Sequence, residues 1–508
     1  MSADSRALLR LRNAAILGAA MLAGCANTLG DAPSSASRAW TPRSVPPDWR
    51  ELATHGAAAS SSAAASALPV TPSADQVYDL PALIDVAQRN NPATRIAWGQ
   101  ARQAASAVGI AEAAYLPVLS AQVIGGYLST RRRLPDVLNH EVRVDSSVNG
   151  VVPVLSIEWL LFDFGRRAAA NEAARNLSIG ANFMFNAMHQ KLVFDVTRTY
   201  YEYGAARQRS QIAKEAVRNS VAVSDAVRAR RKAGLATTVE TAQASQLVAQ
   251  ARLRQVTDAG LERNAYQAML DLLGVPPDTR VRIADSASVP LPTPQELPQG
   301  GLLQRALADR PDVMASIAAL KAAENGVELA DADFMPKVFL AGFVLGGHNE
   351  LSIGPVSGLS NSGVTRGILL GASLPLYDGG MRRSRVHDAQ SRVKVARATL
   401  EKLRNSAMSE IVVAANSLET ALESYDAAEQ LVSTTEVTYG AALDAYTLGL
   451  GTITDVTEAA NGLLLARSAR ADAHAGAQIA AAMLAFSLGK LNSQQEPSDW
   501  RTLNNASD

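Results

Sequence analysis

Twice in this chain an acid stands six residues beyond a glycine: Glu240 after Gly234, and Asp455 after Gly449. Glu458 follows Asp455 by three positions, which puts both on one face of a helix. Carboxylates held close together attract cations. By residue type alone the simpler reading is an acid in a helix's first turn, favoured by the helix dipole. Other chemistry is scarce. His55, His140, His189, His348, His387 and His474 are scattered, with no pair at metal-ligand spacing. Asp163-Phe164-Gly165 superficially matches a kinase metal-binding tripeptide, but neither a Gly-rich phosphate loop nor a catalytic-loop motif accompanies it. It reads as a strand-to-helix corner, with Asp163 and Gly165 easing the turn. No Walker A sequence is present, so any energy source must lie in a partner. No nucleophile clusters with a base. The expectation is a protein that is not an enzyme and has no bound cofactor or metal.

Composition narrows the class. Among 508 residues, 48 Lys and Arg balance 48 Asp and Glu, which argues against a general nucleic-acid binder. A single cysteine, Cys25, rules out a disulfide framework. Outside the N-terminus no run of about 20 apolar residues occurs, against a helical membrane span. Aromatics make up only 5%, which suits long, closely packed helices.

The N-terminus reads as a secretory signal: Arg6, Arg10 and Arg12 precede an apolar stretch from Ala14 to Ala23. It ends in Leu22-Ala23-Gly24-Cys25, which resembles the bacterial lipobox. That resemblance implies a signal peptide over 1–24, removed before Cys25, with acyl chains (diacylglycerol and palmitate) on the cysteine. Ala26 after the cysteine favours the outer membrane by the same sorting pattern. Residues 25–77 read as the lipidated Cys and a flexible Ala/Ser/Pro-rich tether.

The remainder is written twice. Asn91-Pro92 and Leu116-Pro117 recur as Arg310-Pro311 and Met335-Pro336, 219 residues on. Leu161-Phe162-Asp163-Phe164-Gly165 recurs as Leu376-Tyr377-Asp378-Gly379-Gly380, with the aspartates 215 apart. Ala233-Gly234-Leu235 and Leu272-Leu273-Gly274 match Leu448-Gly449-Leu450 and Ser487-Leu488-Gly489 at that same 215. A first repeat therefore covers 78–274, a Pro-rich linker 275–300, a second repeat 301–491, and a polar tail 492–508.

Each repeat carries two alternating, strand-like segments and long helical ones. The predicted β-hairpins cover about 117–161 and 336–376, with the Arg-rich stretch Arg131 to Ser147 as a polar loop. No proline lies between Gly165 and Gly234 or between Gly380 and Gly449. Long helices are predicted over about 166–234 and 380–449, with return helices over about 238–273 and 453–489. In the second copy a seam runs from Val386 through Ala389, Leu400, Ile411 and Leu418 to Val432 in steps of three and four, a heptad pattern with one stutter. At 1.5 Å per residue the long helix measures about 100 Å. A return helix stacked on the shorter helix that begins at Pro92 nearly matches it, so two short helices can pair along one long one. Four strands cannot close a membrane barrel, since the smallest single-chain barrels have eight. Either several chains share a barrel, or both hairpins form one soluble sheet at the end of a periplasmic coiled coil.

The duplicated unit, the Leu-Phe-Asp-Phe-Gly and Leu-Tyr-Asp-Gly-Gly pair, and the Gly-Leu-x-Thr turns resemble the TolC family of outer-membrane efflux proteins, in its lipoprotein branch. The resemblance implies a mainly α fold with a small β part. Three chains would share a 12-stranded outer-membrane barrel, continued by a long helical barrel in the periplasm. It implies a passive exit duct for tripartite efflux or type I secretion, served by a periplasmic membrane-fusion adaptor and an inner-membrane pump of RND, MFS or ABC type. Gly234, Leu235, Thr237, Gly449, Leu450 and Thr452 match the family's adaptor-docking tips. Glu240, Tyr446, Asp455 and Glu458 match its aperture and gating positions, where threefold rings of acid would favour cations. Asp163, Gly165, Asp378 and Gly380 form the strand-to-helix corners. The family's constricting arginine after the second tip glycine is missing, because Gly451 stands there. Two rival readings are a periplasmic lipoprotein scaffold or adaptor without a barrel, and a hydrolase inside a helical shell.

Overall fold

The computed structural model describes residues 31–41, 72–135, 141–291, 306–353 and 356–491. The signal over 1–24, Cys25, most of the tether, the later part of the linker and the tail 492–508 lie outside the described residues. The elements run β1 (Val77–Tyr78), α1 (Leu80–Asn90), α2 (Pro92–Ala113), β2 (Val118–Pro135), β3 (Glu141–Phe162), α3 (Arg166–Lys232), α4 (Thr238–Leu273) and β4 (Arg282–Ile283). The second half gives α5 (Pro311–Ala332), β5 (Lys337–Ile353), β6 (Val356–Ser373), α6 (Met381–Leu448) and α7 (Ile453–Ser487). The architecture is mainly α with one substantial sheet. No described helix is long and apolar enough to cross a membrane.

The described chain divides into two compact units. The first comprises residues 103–178 and 318–397 and holds a four-stranded antiparallel sheet in the order β2-β3-β5-β6. Register puts Leu119 opposite Ile157, Ile157 opposite Gly342 and Gly342 opposite Ile368. Two rows away Ala121, Leu155, Val344 and Arg366 line up. Directly opposed residues share a face, so Leu119, Val123, Tyr127, Val151, Leu155, Ile368 and Leu370 form one apolar surface, and all of them are exposed. On the other face Ser120 and Ser156 share a hydrogen bond of 2.7 Å. There Phe343 and Phe339 cover Gly367 and Gly371, leaving no room for a Cβ. These aromatic–glycine pairs explain why β5 shows little alternation in the sequence.

Of the stretch expected as a loop, residues 131–135 and 141–147 instead continue the strands, with Arg131 opposite Asp145 and Arg133 opposite Arg143; residues 136–140 lie outside the described residues. Backbone pairing does not require apolar side chains, only a partner for each N–H and C=O. Polarity was the wrong marker for the strand ends.

The second unit comprises residues 31–102, 179–317 and 398–491 of the described chain. Its largest core packs Leu83 and Ala87 of α1 against Val196 and Tyr201 of α3 and Met269 and Leu273 of α4. Helix α1 has no counterpart in the sequence reading. Asp79 caps it, accepting from the Ala82 N–H at 3.0 Å. A second core joins Ile411, Ala414 and Leu418 of α6 to Leu484 of α7. Along α6 every predicted seam position from Val386 to Val432 is buried or half-buried.

The helix joints repeat in kind. The Asn91 side chain donates to the Leu272 carbonyl at 2.9 Å, and Arg310, in the matching place, donates to Ser487 at 3.2 Å. A Cβ on Gly274 would meet the Asn90 oxygen at 2.8 Å, and one on Gly489 the Asp309 oxygen at 2.7 Å. Both glycines have positive φ, 65° and 71°. The end of each return helix thus abuts the start of the short helix of its own repeat.

Parts of two segments, one expected as a flexible tether and the other as a Pro-rich linker, are straps. Within the tether, residues 31–41 lie on α2 and α3. The Asn186 side chain accepts from the Trp40 N–H at 2.7 Å and donates to its carbonyl at 2.8 Å. Asn182 donates to Asp31, Trp98 to Pro33, and the His189 ring bonds the Ala36 carbonyl at 3.0 Å. Within the linker, β4 pairs in parallel with β1, and His474 and Gln478 hold the carbonyls of Val289 and Pro290. The sequence hid both because their backbone groups are satisfied by helix side chains far along the chain.

Two outcomes are expected. Gly274→Ala and Gly489→Ala should each cost about 1–3 kcal/mol, since alanine at positive φ is strained and here also collides. Gly99→Ala, in open space on α2, should gain about 0.5–1 kcal/mol; urea unfolding midpoints check the contrast. Burial lowers the pKa of His189 from 6.5 to about 4, against the opposing bond to Ala36. A depressed folded pKa means stability that is present above 6.5 and lost as pH falls through about 4. Trp40 fluorescence should report release of the strap over that window, and His189→Phe should move or abolish the transition.

Candidate functional site

The two helical reversals of the second unit hold the predicted tip and aperture residues. At the end of α3, the Leu235 N–H donates to Arg230 O at 2.8 Å and the Gly234 N–H to Arg231 O at 3.0 Å. At the end of α6, Leu450 donates to Ala445 O at 2.8 Å and Gly449 to Tyr446 O at 3.1 Å. This paired 6→1 and 5→2 closure requires a left-handed residue, which Gly234 and Gly449 supply with φ of 76° and 79°. The residue after such a glycine often folds back on the helix. Here Leu235 and Leu450 stay 66% and 83% exposed.

Each return helix then opens on a capping box. Thr237 Oγ1 accepts from the Glu240 N–H at 3.2 Å, and Glu240 Oε2 accepts from the Thr237 N–H at 2.5 Å. Thr452 and Asp455 repeat the exchange at 3.3 and 2.9 Å. Thr-x-x-Glu and Thr-x-x-Asp are sequence signatures of this motif, so the pairing was readable. The hydrogen bonds from Thr237 hold the Glu240 carboxyl below its ordinary pKa, and those from Thr452 do the same for Asp455. Repulsion within a ring of like charges would act in the opposite direction. Glu458, one turn further, is exposed and makes no capping bond.

Tyr446 is 1% exposed, packed among Val223, Val227, Ala244, Leu247, Ile453 and Val456. Its hydroxyl has no hydrogen-bond partner among the described residues, and burial raises its pKa. The Arg230 guanidinium lies 4.8 Å from the ring centroid and donates to the carbonyls of Tyr446 at 2.6 Å and Thr447 at 3.1 Å. Tyr446 is thus brought to Arg230, a residue the sequence reading passed over.

The corners lie in the first unit. Asp163 accepts from the Arg167 N–H and Nε, both at 3.0 Å. Arg167 donates on to the carbonyls of Ala114, Leu160 and Leu161, and its guanidinium sits 4.8 Å from the Tyr115 ring. In the second copy Asp378 holds the N–H groups of Gly380 and Arg382, and Arg382 lies 5.0 Å from the Phe334 ring. Gly165 and Gly380 turn at φ of 93° and 91°. The aspartates therefore do more than ease a turn: each orients an arginine four residues on, and Arg167 in addition ties the end of β3 to the start of α3. Asp333 takes one arginine from each long helix, Arg166 at 2.7 Å and Arg385 at 3.3 Å. Among the described residues no group of three His, Cys, Asp or Glu is placed to hold a metal ion.

The family model for outer membrane efflux proteins matches residues 83–275 and 302–490. The chain belongs to that family. The two matched stretches start 219 residues apart and end 215 apart, the same offsets that relate the sequence repeats. The chain is similar to protein CyaE of Bordetella pertussis, 29% identical over 419 residues covering 82% of this chain and 85% of that one. It is similar to outer membrane protein OprJ of Pseudomonas aeruginosa, 26% identical over 341 residues covering 66% and 67%. In fold it matches the crystal structure of the Campylobacter jejuni CmeC outer membrane channel, with a TM-score of 0.70 over 83% of this chain and 88% of that chain, at 20% identity.

As an outer membrane efflux protein, the chain is an outer-membrane channel that extends into the periplasm. In that setting the lowered carboxyl pKa values have a stability consequence. A depressed folded pKa contributes stability above the unfolded values of 4.5 for Glu240 and 3.8 for Asp455, lost as pH falls below them. Hydrogen-exchange protection at the two turns, taken relative to the intrinsic rate at each pH, should fall over that acid range. Thr237→Ala and Thr452→Ala should each cost about 1 kcal/mol of local stability and flatten the pH response; an unchanged pH response would reject the boxes as its source.

Proposed function

We propose that three copies of this chain form a passive exit duct, sealed in the outer membrane by a shared twelve-stranded barrel. The observation that carries this reading is the β2-β3-β5-β6 sheet, whose outer strands β2 and β6 have no second strand partner among the described residues and one face of which exposes Leu119, Val123, Tyr127, Val151, Leu155, Ile368 and Leu370. Unpaired edges in lipid are not viable, and four strands are half the number of the smallest single-chain barrel. A soluble sheet would instead carry polar side chains on both faces. The strands, at 17 to 22 residues, exceed the roughly 9–11 that a tilted spanning strand needs.

In this reading an inner-membrane pump of RND, MFS or ABC type supplies the energy. A periplasmic adaptor docks on the turns at Gly234 and Gly449, where Leu235 and Leu450 stand exposed. Glu240, Asp455 and Glu458 line the periplasmic aperture, the buried Tyr446 belongs to its closing network, and cargo choice lies with the pump. Acyl chains on Cys25 add a second membrane anchor at about 0.8 kcal/mol per buried CH₂. Cys25 stands six positions before the strap residue Asp31, so the chain between them reaches at most about 20 Å.

Reconstitution in planar bilayers tests the duct. Purified protein should form trimers with cation-preferring conductance that multivalent cations block. Replacing Asp455 and Glu458 together by alanine should weaken that block. A protein that never conducts would overturn the duct, and an unchanged block would reject the assigned ring.

A further inference from the structure

We propose that Arg230 is the pin that holds the Gly449 turn against α3, and that the aperture opens only when this contact is released. The proposal rests on reading the two turns as the periplasmic aperture.

The end of α6 does not supply its own countercharge. Helix α3 carries Arg230, Arg231 and Lys232 in its last turn, whereas α6 carries no basic residue there. A helix C-terminus is the negative end of the dipole, with carbonyls left unbonded by the helix itself. Of those carbonyls on α6, Ala445 O takes the N–H groups of Leu450 and Gly451, and Tyr446 O takes Gly449. Arg230 comes from the other repeat to bond Tyr446 O and Thr447 O, completing the cap while its guanidinium stacks on the Tyr446 ring. One side chain therefore satisfies the end of α6, neutralises its dipole and packs on its largest buried residue.

The contact has no mirror image. At the 215-residue offset, Arg230 corresponds to Ala445 and Tyr446 to Arg231. The repeats agree at both glycines and both capping boxes, then part here, where one turn reaches the other. Nor can the neighbouring position take over. A Cβ on Gly451 would lie 3.2 Å from Ala445 Cβ and 3.3 Å from Tyr446 N, so a larger residue there crowds the last turn of α6.

The closed contact also leaves groups unsatisfied. Arg230 Nε and the Tyr446 hydroxyl are both buried without a partner among the described residues. Separating the two turns would hydrate both. A contact that combines strong bonds with unmet ones is suited to be broken by a docking partner rather than to be permanent.

The test uses full-length trimers in planar bilayers, without pump or adaptor. Arg230→Met keeps the stem on Tyr446 but loses the charge and the donors. It should raise the resting conductance several-fold, while Arg230→Lys should give an intermediate rise. Arg231→Met removes an equal charge one residue away and should match wild type. Wild-type conductance in Arg230→Met, or an equal rise in Arg231→Met, would overturn the pin. Should Arg230→Met fail to assemble, Arg230→Lys decides: conductance above wild type supports the pin, and equality overturns it. The aperture reading is scored separately, by multivalent block in wild type and in the Asp455 and Glu458 variants. Block that responds to those acids, together with an inert Arg230→Met, would reject the pin and leave the aperture standing.

Discussion

A sheet that ends in lipid has nothing to pair with, and this constraint governs the rest of the molecule. Strands β2 and β6 are the outer members of the four-stranded sheet, each 18 residues long. Each unpaired backbone group in the hydrocarbon costs several kcal/mol, whereas a folded domain is stable by only about 5–15 kcal/mol in total. A few exposed groups on an edge would exceed that margin. The edges must therefore be covered by other chains, so the oligomer is a condition of the membrane fold and not a later embellishment. The chain's duplication serves the same end, because it delivers two hairpins already joined through the β3–β5 ladder.

Below the level of assembly, the duplicated halves reuse local devices. Positive-φ glycines close all four long and return helices, at Gly234, Gly274, Gly449 and Gly489. Capping boxes open both return helices, and an aspartate with its arginine four residues on turns both corners. Such devices depend on a few adjacent residues and survive duplication unchanged. Contacts between elements have diverged. Asn91 and Arg310 do the same job with different side chains, Tyr115 and Phe334 lie under equivalent arginines, and Arg230 faces an alanine at its counterpart position. Divergence collects where one element must recognise another.

The same division explains what could be read from residues alone. The α6 seam was legible because burial repeats every three to four residues, and the glycine ends because so few other residues adopt positive φ. Strand faces were legible in β3, where Val151, Leu155, Ile157 and Trp159 alternate, and obscure in β5, where Phe339 and Phe343 serve partner glycines on β6. The capping boxes were written plainly in Thr237 to Glu240 and Thr452 to Asp455, yet the acids drew attention to charge and away from local geometry. The straps and Arg230 carried no pattern at all. Asn186 clasps Trp40 across 146 residues and Arg230 reaches Tyr446 across 216, and no periodicity in sequence encodes a meeting at that separation.

The two acids of the second turn are consequently unequal. Asp455 Oδ2 is committed to the N–H and hydroxyl of Thr452, so its position is fixed by the helix it caps and its charge is favoured by those bonds. Glu458 has no such commitment, and its longer side chain is exposed one turn away. In a threefold ring, repulsion raises carboxyl pKa values while capping lowers them. The bonds from Thr452 therefore hold the Asp455 carboxyl below its ordinary pKa, whatever else stands near it. In the duct we propose, a carboxylate that starts a helix at the aperture would link the electrostatics of the opening to the stability of its wall. Glu458 can vary without loosening the turn, whereas Asp455 cannot.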